Sequence, residues 1–150
     1  MTDSMLKNIL ERAIQSEEHS YNLYTHLAGR VERPEAKKLL AGLAEQELKH
    51  KELLLSLDLG KAAAFKATKL EGEGLAELMD SAPIDPKASV QDIMLFAIKK
   101  EQSACEFYRR MSEFSPNASV KGLFERLAGE ELKHKGGLET FYEDMFMREN

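Results

Sequence analysis

The sequence predicts an all-α fold, a four-helix bundle assembled from two copies of one helical hairpin. Three observations carry that prediction. The octet Leu43-Ala44-Glu45-Gln46-Glu47-Leu48-Lys49-His50 returns as Leu127-Ala128-Gly129-Glu130-Glu131-Leu132-Lys133-His134, 84 residues later. The same offset of 84 links Ala13-Ile14-Gln15-Ser16-Glu17 to Ala97-Ile98-Lys99-Lys100-Glu101, and Tyr24 to Tyr108, without a gap. Four stretches carry apolar residues at helical spacing, and a segment over residues 59–88, broken by Gly and Pro, divides them into two pairs.

The elements follow in order. Asp3 and Ser4 are good helix N-caps, and the first helix is expected to run from there to near Gly29. Its inward stripe reads Leu10, Ala13/Ile14, Glu17, Tyr21, Tyr24, Leu27/Ala28, apolar apart from the glutamate and the tyrosine hydroxyls. Pro34 suits the first turn of the second helix, whose stripe is Ala36, Leu39/Leu40, Leu43, Glu47, His50, Leu54, Leu57. The connection between them is short, so the two are antiparallel neighbours. Glu17 and Glu47 lie at nearly equal chain distances from that turn, which sets them at one level, roughly 20 Å from it.

Residues 59–88 contain Gly60, Gly72, Gly74, Pro83 and Pro86, with a short helix expected from Gly74 to Met79. A connection this long suits a crossover that travels the length of the bundle. It delivers the third helix parallel to the second. Ser89 with Asp92 three residues on is an approximate capping box for the third helix. Its stripe is Met94, Ala97/Ile98, Glu101, Cys105, Tyr108, Met111. Ser115-Pro116 opens the fourth, with Val120, Leu123/Phe124, Leu127, Glu131, His134, Leu138, Phe141/Tyr142. Gly136-Gly137 marks a weak point or bend in it. The chain thus reads as one domain over 1–150, with halves at about 4–57 and 88–141 joined by the crossover.

Composition bounds the function. A chain of 150 residues suffices for one domain with a real core, and a net charge of −5 disfavours nucleic acid and anionic membranes as partners. No apolar run is long enough to span a bilayer, and the stretch from Met1 to Lys7 is neither basic nor followed by an apolar core. A cytoplasmic setting is the expectation. The single cysteine, Cys105, permits neither an internal disulfide nor a four-cysteine metal site in this chain, and reads as a buried inert thiol.

The inward set, Glu17, Glu47, His50, Glu101, Glu131 and His134, is the chemical content of the stripes. In each Glu-x-x-His the two side chains share one helix face and can grip one metal ion together. Four carboxylates facing a core cost several kcal/mol each if charged and unpaired. No Lys or Arg lies on these stripes. Two divalent cations would balance four carboxylates, and oxygen with imidazole ligation suits iron or manganese better than structural zinc. Glu18, Glu45 and Glu130 lie near the ligands in sequence but turn off their stripes and read as solvated; His19 and His26 also read as exposed. Tyr24 and Tyr108 are either core tyrosines with a satisfied hydroxyl or hydrogen-bond partners of the ligands. Leu23, Ile93, Phe96, Phe107 and Phe114 lie off the stripe, and either pack under the crossover or form the face of a homodimer.

These residues carry a resemblance. Ala13-Ile14-x-x-Glu17 with Tyr24, Leu43-Ala44-x-x-Glu47-x-x-His50, and their partners 84 residues on resemble the ferritin-like di-iron carboxylate proteins, specifically the rubrerythrin group without its rubredoxin domain. One Glu from each of two helices and Glu-x-x-His from each of the other two is the established donor pattern of that superfamily, matched here rather than derived. The resemblance implies a ferritin-like bundle with a long crossover between its second and third helices. It implies two Fe ions, with Mn or another divalent metal as alternatives. Glu17 and Glu101 would be terminal ligands, Glu47 and Glu131 bridging ones, and each histidine would cap one metal. It further implies an oxidoreductase that reduces peroxide or O₂ with electrons from an external donor such as a rubredoxin-type protein. Iron oxidation and handling, or a structural dinuclear metal, are the alternatives. The sequence departs from the group in two places: it lacks the cysteines of a rubredoxin-type site, and Ala104 stands where a further glutamate is usual.

Overall fold

The computed structural model describes residues 3–57, 74–80, 84–115 and 118–147. Five helices account for most of them: α1 (Asp3–Arg30), α2 (Pro34–Leu55), α3 (Leu75–Met79), α4 (Val90–Glu113) and α5 (Ala118–Tyr142). The chain continues from α5 into a π-helical turn, Glu143–Met147. Among the described residues there is no strand. No helix among them is long and apolar enough to cross a membrane.

Local chemistry explains the boundaries. Pro34 opens α2, where its missing N–H has no intrahelical partner to lose, and Glu35 follows in the first turn, at the positive end of the helix dipole. Ser89 caps α4, its hydroxyl accepting from the Asp92 amide at 3.0 Å. Gly74 precedes α3 with a φ of +62°, a backbone state that glycine enters without a side-chain clash. Pro116, expected to open the fourth long helix, lies outside the described residues. Gly136-Gly137 does not interrupt α5; the departure from α-helical bonding comes after it, at Glu143.

The helices pair as hairpins, α1 on α2 and α4 on α5. Side-chain contacts orient the hairpins. Tyr108 bonds to Glu17 and Tyr24 to Glu101, so the partner number falls on α4 as the residue number rises on α1. His50 meets Glu131 and His134 meets Glu47, which makes α2 and α5 antiparallel in the same way. It follows that α2 and α4 run in the same direction. The chain between them must therefore cover about the length of α2, whose 22 residues span about 33 Å. Most of this crossover, residues 58–73 and 81–83, lies outside the described residues. Its described part, α3, lies on α1 and α4, where Leu75 and Met79 join Leu6, Ile9, Phe107 and Phe114 in one buried cluster. At the other end Arg30 donates to the carbonyls of Pro86 and Ala88, tying the start of α4 to the end of α1.

The core divides into two apolar clusters. One, at the α3 end, holds Leu10, Leu54, Phe107, Met111, Phe124 and Leu127 among others. The other holds Leu27, Val31, Leu40, Met94, Ala97 and Leu138. Each fully buried side chain of this size stabilises the fold by about 1.5–3 kcal/mol relative to exposure. Phe107, Phe114, Leu23 and Ile93, which lie off the inward stripe, are buried within the single chain, and Phe96 is half-buried. Cys105 is a buried free thiol in the first cluster.

Candidate metal centre

Between the two apolar clusters lies a polar layer. Helical spacing puts Glu47 and His50 on one face of α2 and Glu131 and His134 on one face of α5, while α1 and α4 each present one glutamate at the same level. Glu17, Glu47, His50, Glu101, Glu131 and His134 are all buried, none more than 4% exposed. The structure brings all six together, as two overlapping groups. Glu17, Glu47, His50 and Glu131 form one, and Glu47, Glu101, Glu131 and His134 the other. Within each group one potential ligand atom from every residue lies within 4.8 Å of the rest. Glu47 and Glu131 belong to both.

The contacts repeat under the 84-residue shift. His50 Nδ1 is 2.8 Å from Glu131 Oε1, and His134 Nδ1 is 2.7 Å from Glu47 Oε1. The longer approaches match as well: His50 Nδ1 to Glu17 at 3.6 Å, and His134 Nδ1 to Glu101 at 3.7 Å. The two rings are nearly parallel, 12° apart in plane with centroids 5.7 Å apart. Both imidazoles thus turn Nδ1 toward the carboxylates.

The donor set fits divalent metal. Buried polar atoms are nearly always paired, because an unpaired one gives up its hydration without return. Here Glu17 Oε2, Glu47 Oε2, Glu101 Oε2, Glu131 Oε1 and both ring nitrogens of His50 are buried without a hydrogen-bond partner. The 2.8 Å approach of His50 Nδ1 to Glu131 is too far off the N–H direction to satisfy either atom. The orphaned carboxylate oxygens and His50 Nδ1 converge in the two overlapping groups, where a pair of cations would satisfy them. No thiolate contributes, since Cys105 is in neither group.

Without metal, protons take up part of that role. Burial, then the charge of Glu47, pushes the Glu17 carboxyl up to about 8. Burial, with the charges of Glu101, Glu47 and Glu17, pushes Glu131 well above the ordinary carboxylate range. For Glu47, burial and the Glu101 charge act upward, but hydrogen bonds with Glu17, His134 and His50 outweigh them and hold it low. The histidines move the other way from a normal buried imidazole. Burial lowers them, yet the adjacent carboxylates of Glu17 and Glu47 raise His50 to about 10, and those of Glu101 and Glu47 raise His134 to about 9.

A second set of side chains holds the six in place. Tyr24 donates to Glu101, and Tyr108 donates to Glu17, each from the opposite hairpin. Burial and the nearby carboxylates raise both phenols well above their usual range, so each keeps its proton as a donor. Both hydroxyls are satisfied, and the groups that satisfy them are site glutamates. Gln46 bonds to His134 Nε2, and the Glu130 carboxylate lies 3.6 Å from His50 Nε2. Sequence reasoning missed both. Glu130 is not simply solvated: its side chain is only 28% exposed and it also accepts from Arg126. The signal was available, since Gln46 and Glu130 are themselves 84 residues apart. Glu18 and Glu45 are exposed, as expected, and so is His26. His19 is half-buried, with Nδ1 lacking a hydrogen-bond partner, and burial followed by the charge of Lys100 lowers its pKa. No Lys or Arg lies on the stripes themselves, but Lys100, one residue off, is buried and donates to Ser16 at 2.6 Å. Ala104 is buried and brings no carboxylate.

A family model described as Rubrerythrin matches residues 8–68 and 92–150, and those segments contain all six residues. The gap between them, residues 69–91, spans the later part of the crossover and the first two residues of α4. A solved structure of a hypothetical protein from Pyrococcus furiosus is similar to this chain with a TM-score of 0.70 and 26% identity, covering 92% of this chain and 88% of that one. No protein of curated function matches the chain.

Proposed function

Since the chain belongs to the rubrerythrin family and folds as an all-α ferritin-like bundle, we propose that its buried glutamates and histidines hold two divalent metal ions, iron by preference. On this reading the protein is an oxidoreductase that reduces peroxide or O₂ with electrons from an external donor. The observation that carries it is the pair of four-residue groups sharing Glu47 and Glu131. Glu17 and His50 would then serve one ion, Glu101 and His134 the other, and the two shared carboxylates would bridge them.

Two ferrous ions would supply the two electrons that reduction of a peroxide to water takes, and would polarise the O–O bond. The chain's own residues do the rest. Each imidazole presents Nδ1 to the carboxylates; Nε2 of His134 is held from outside by Gln46, and the Glu130 carboxylate lies 3.6 Å from Nε2 of His50. Such outer partners fix ring orientation and ligand basicity. The tyrosine hydroxyls hold Glu101 and Glu17 in position. The apolar clusters on either side keep the layer dry, which strengthens every electrostatic interaction within it.

The test is anaerobic mixing of the ferrous protein with hydrogen peroxide, followed by absorption. One equivalent of peroxide should oxidise two irons per chain, and an added reductant should restore them for repeated turnover. Iron oxidation by O₂ with mineral growth and no peroxide turnover would replace this reading with an iron-handling one.

A further inference from the structure

Among the described residues Lys100 is the sole buried lysine or arginine. It sits on α4, one residue before Glu101, and the 84-residue shift makes it the counterpart of Ser16 on α1. The two counterparts touch: Lys100 Nζ donates to Ser16 Oγ at 2.6 Å. Positions related by a two-fold axis can meet only close to that axis. The ammonium therefore lies near the axis that relates the hairpins, and the same axis exchanges the two four-residue groups. A single ammonium is thus placed beside the layer, on the α1–α4 side. All four carboxylates act on it, working against the burial that lowers its pKa.

The charge count changes accordingly. With metal bound and their protons displaced, the four buried carboxylates would carry four negative charges. Two divalent ions would neutralise them, and Lys100 leaves the filled layer one positive charge in surplus. A buried surplus charge is unfavourable, and it opposes further cations most strongly. We propose that Lys100 is the resident positive charge of the centre, weakening the binding of divalent ions and disfavouring trivalent ones. The inference rests on the two-metal reading above. It assigns Lys100 a positioning and charge-setting role, with no contact to a reacting atom.

The test uses the full chain and Co²⁺, which binds without redox chemistry. Wild type, Lys100→Gln and Lys100→Arg are titrated by calorimetry and visible absorption. Lys100→Gln should still take two ions, at least about tenfold more tightly than wild type. Lys100→Arg should keep the wild-type affinity. A folded Lys100→Gln protein with unchanged or weaker affinity overturns the proposal. So does a Lys100→Gln protein that stays unfolded at saturating Co²⁺, since Lys100 would then be required by the fold itself. Wild type that binds no Co²⁺ would instead remove the metal reading itself. A further readout is the reduction potential of the iron-loaded protein, which should fall in Lys100→Gln and would stay fixed if Lys100 were only a packing residue.

Discussion

The two hairpins are alike where they supply ligand atoms and unlike just outside them. Glu17 and Glu101, Glu47 and Glu131, His50 and His134, and Tyr24 and Tyr108 occupy matching places and make matching contacts. One residue away the match fails. Ser16 faces Lys100, and Gln46 stands where the other hairpin has Glu130. The duplicated positions set the geometry of two equivalent ion sites. The unmatched ones set the charge and hydrogen bonding around them, and they make the two sides of the layer inequivalent.

The largest expected effect comes from breaking the shared pair. Glu47→Ala or Glu131→Ala removes a ligand common to both groups and should abolish binding of two ions, as metal analysis reads. Glu17→Ala and Glu101→Ala each remove a ligand of one group and should leave about one ion per chain. Glu45→Ala, on an exposed side chain, should change neither stoichiometry nor melting by more than about 1 kcal/mol. Equal effects for Glu47→Ala and Glu45→Ala would remove the distinction between layer and surface.

The next effect is the pH dependence of the metal-free protein. Glu17 has a folded pKa of about 8 against an ordinary 4.5, so it costs stability progressively as pH rises between those values. His50 and His134 have folded pKa values of about 10 and 9 against 6.5, so their contribution is complete below 6.5 and is lost as pH rises through 9 and 10. Both signs agree: melting of the metal-free protein should fall steadily from about pH 5 to pH 10. Saturating metal should reverse the trend, because the ligands must be deprotonated to bind. Glu17→Gln should flatten the acidic half of the decline. A flat profile for the metal-free wild type would contradict the buried carboxylates.

Much of this was legible in the sequence, for physical reasons. Helical spacing fixes which side chains share a face, so two Glu-x-x-His motifs and two upstream glutamates at one offset already placed six residues on four inward stripes. Ser89 and Pro34 marked helix starts through the same backbone chemistry that the structure displays. What was not legible lies between helices. Lys100 is one residue off its stripe, and its burial depends on how α1 and α4 approach and on α3 lying over them. Glu130 is also one residue off the stripe, but α2 brings His50 to it from outside its own helix. His19 is half-buried for the same kind of reason, with Lys100 beside it. Single-helix geometry cannot predict a neighbour supplied by another helix.

A smaller effect tests the symmetry itself. Tyr24→Phe and Tyr108→Phe each remove one donor to a carboxylate of the layer and should weaken metal binding about tenfold, at the low end of the usual cost of losing an outer partner. The two losses should be similar, since the contacts are equivalent. A large loss for one and none for the other would show that the repeated geometry is not repeated energetically. The smallest effect belongs to the unmatched pair beside the histidines. Glu130→Gln makes that position like Gln46, and since Glu130 is partly exposed the change should shift metal binding by at most about 1 kcal/mol.

The most direct test of the central claim is anomalous scattering from crystals of protein loaded with ferrous iron. It should show two ions per chain about 3.5–4 Å apart, one against Glu17 and His50, the other against Glu101 and His134, with Glu47 and Glu131 touching both. A single ion, or ions bound away from these six residues, would contradict it.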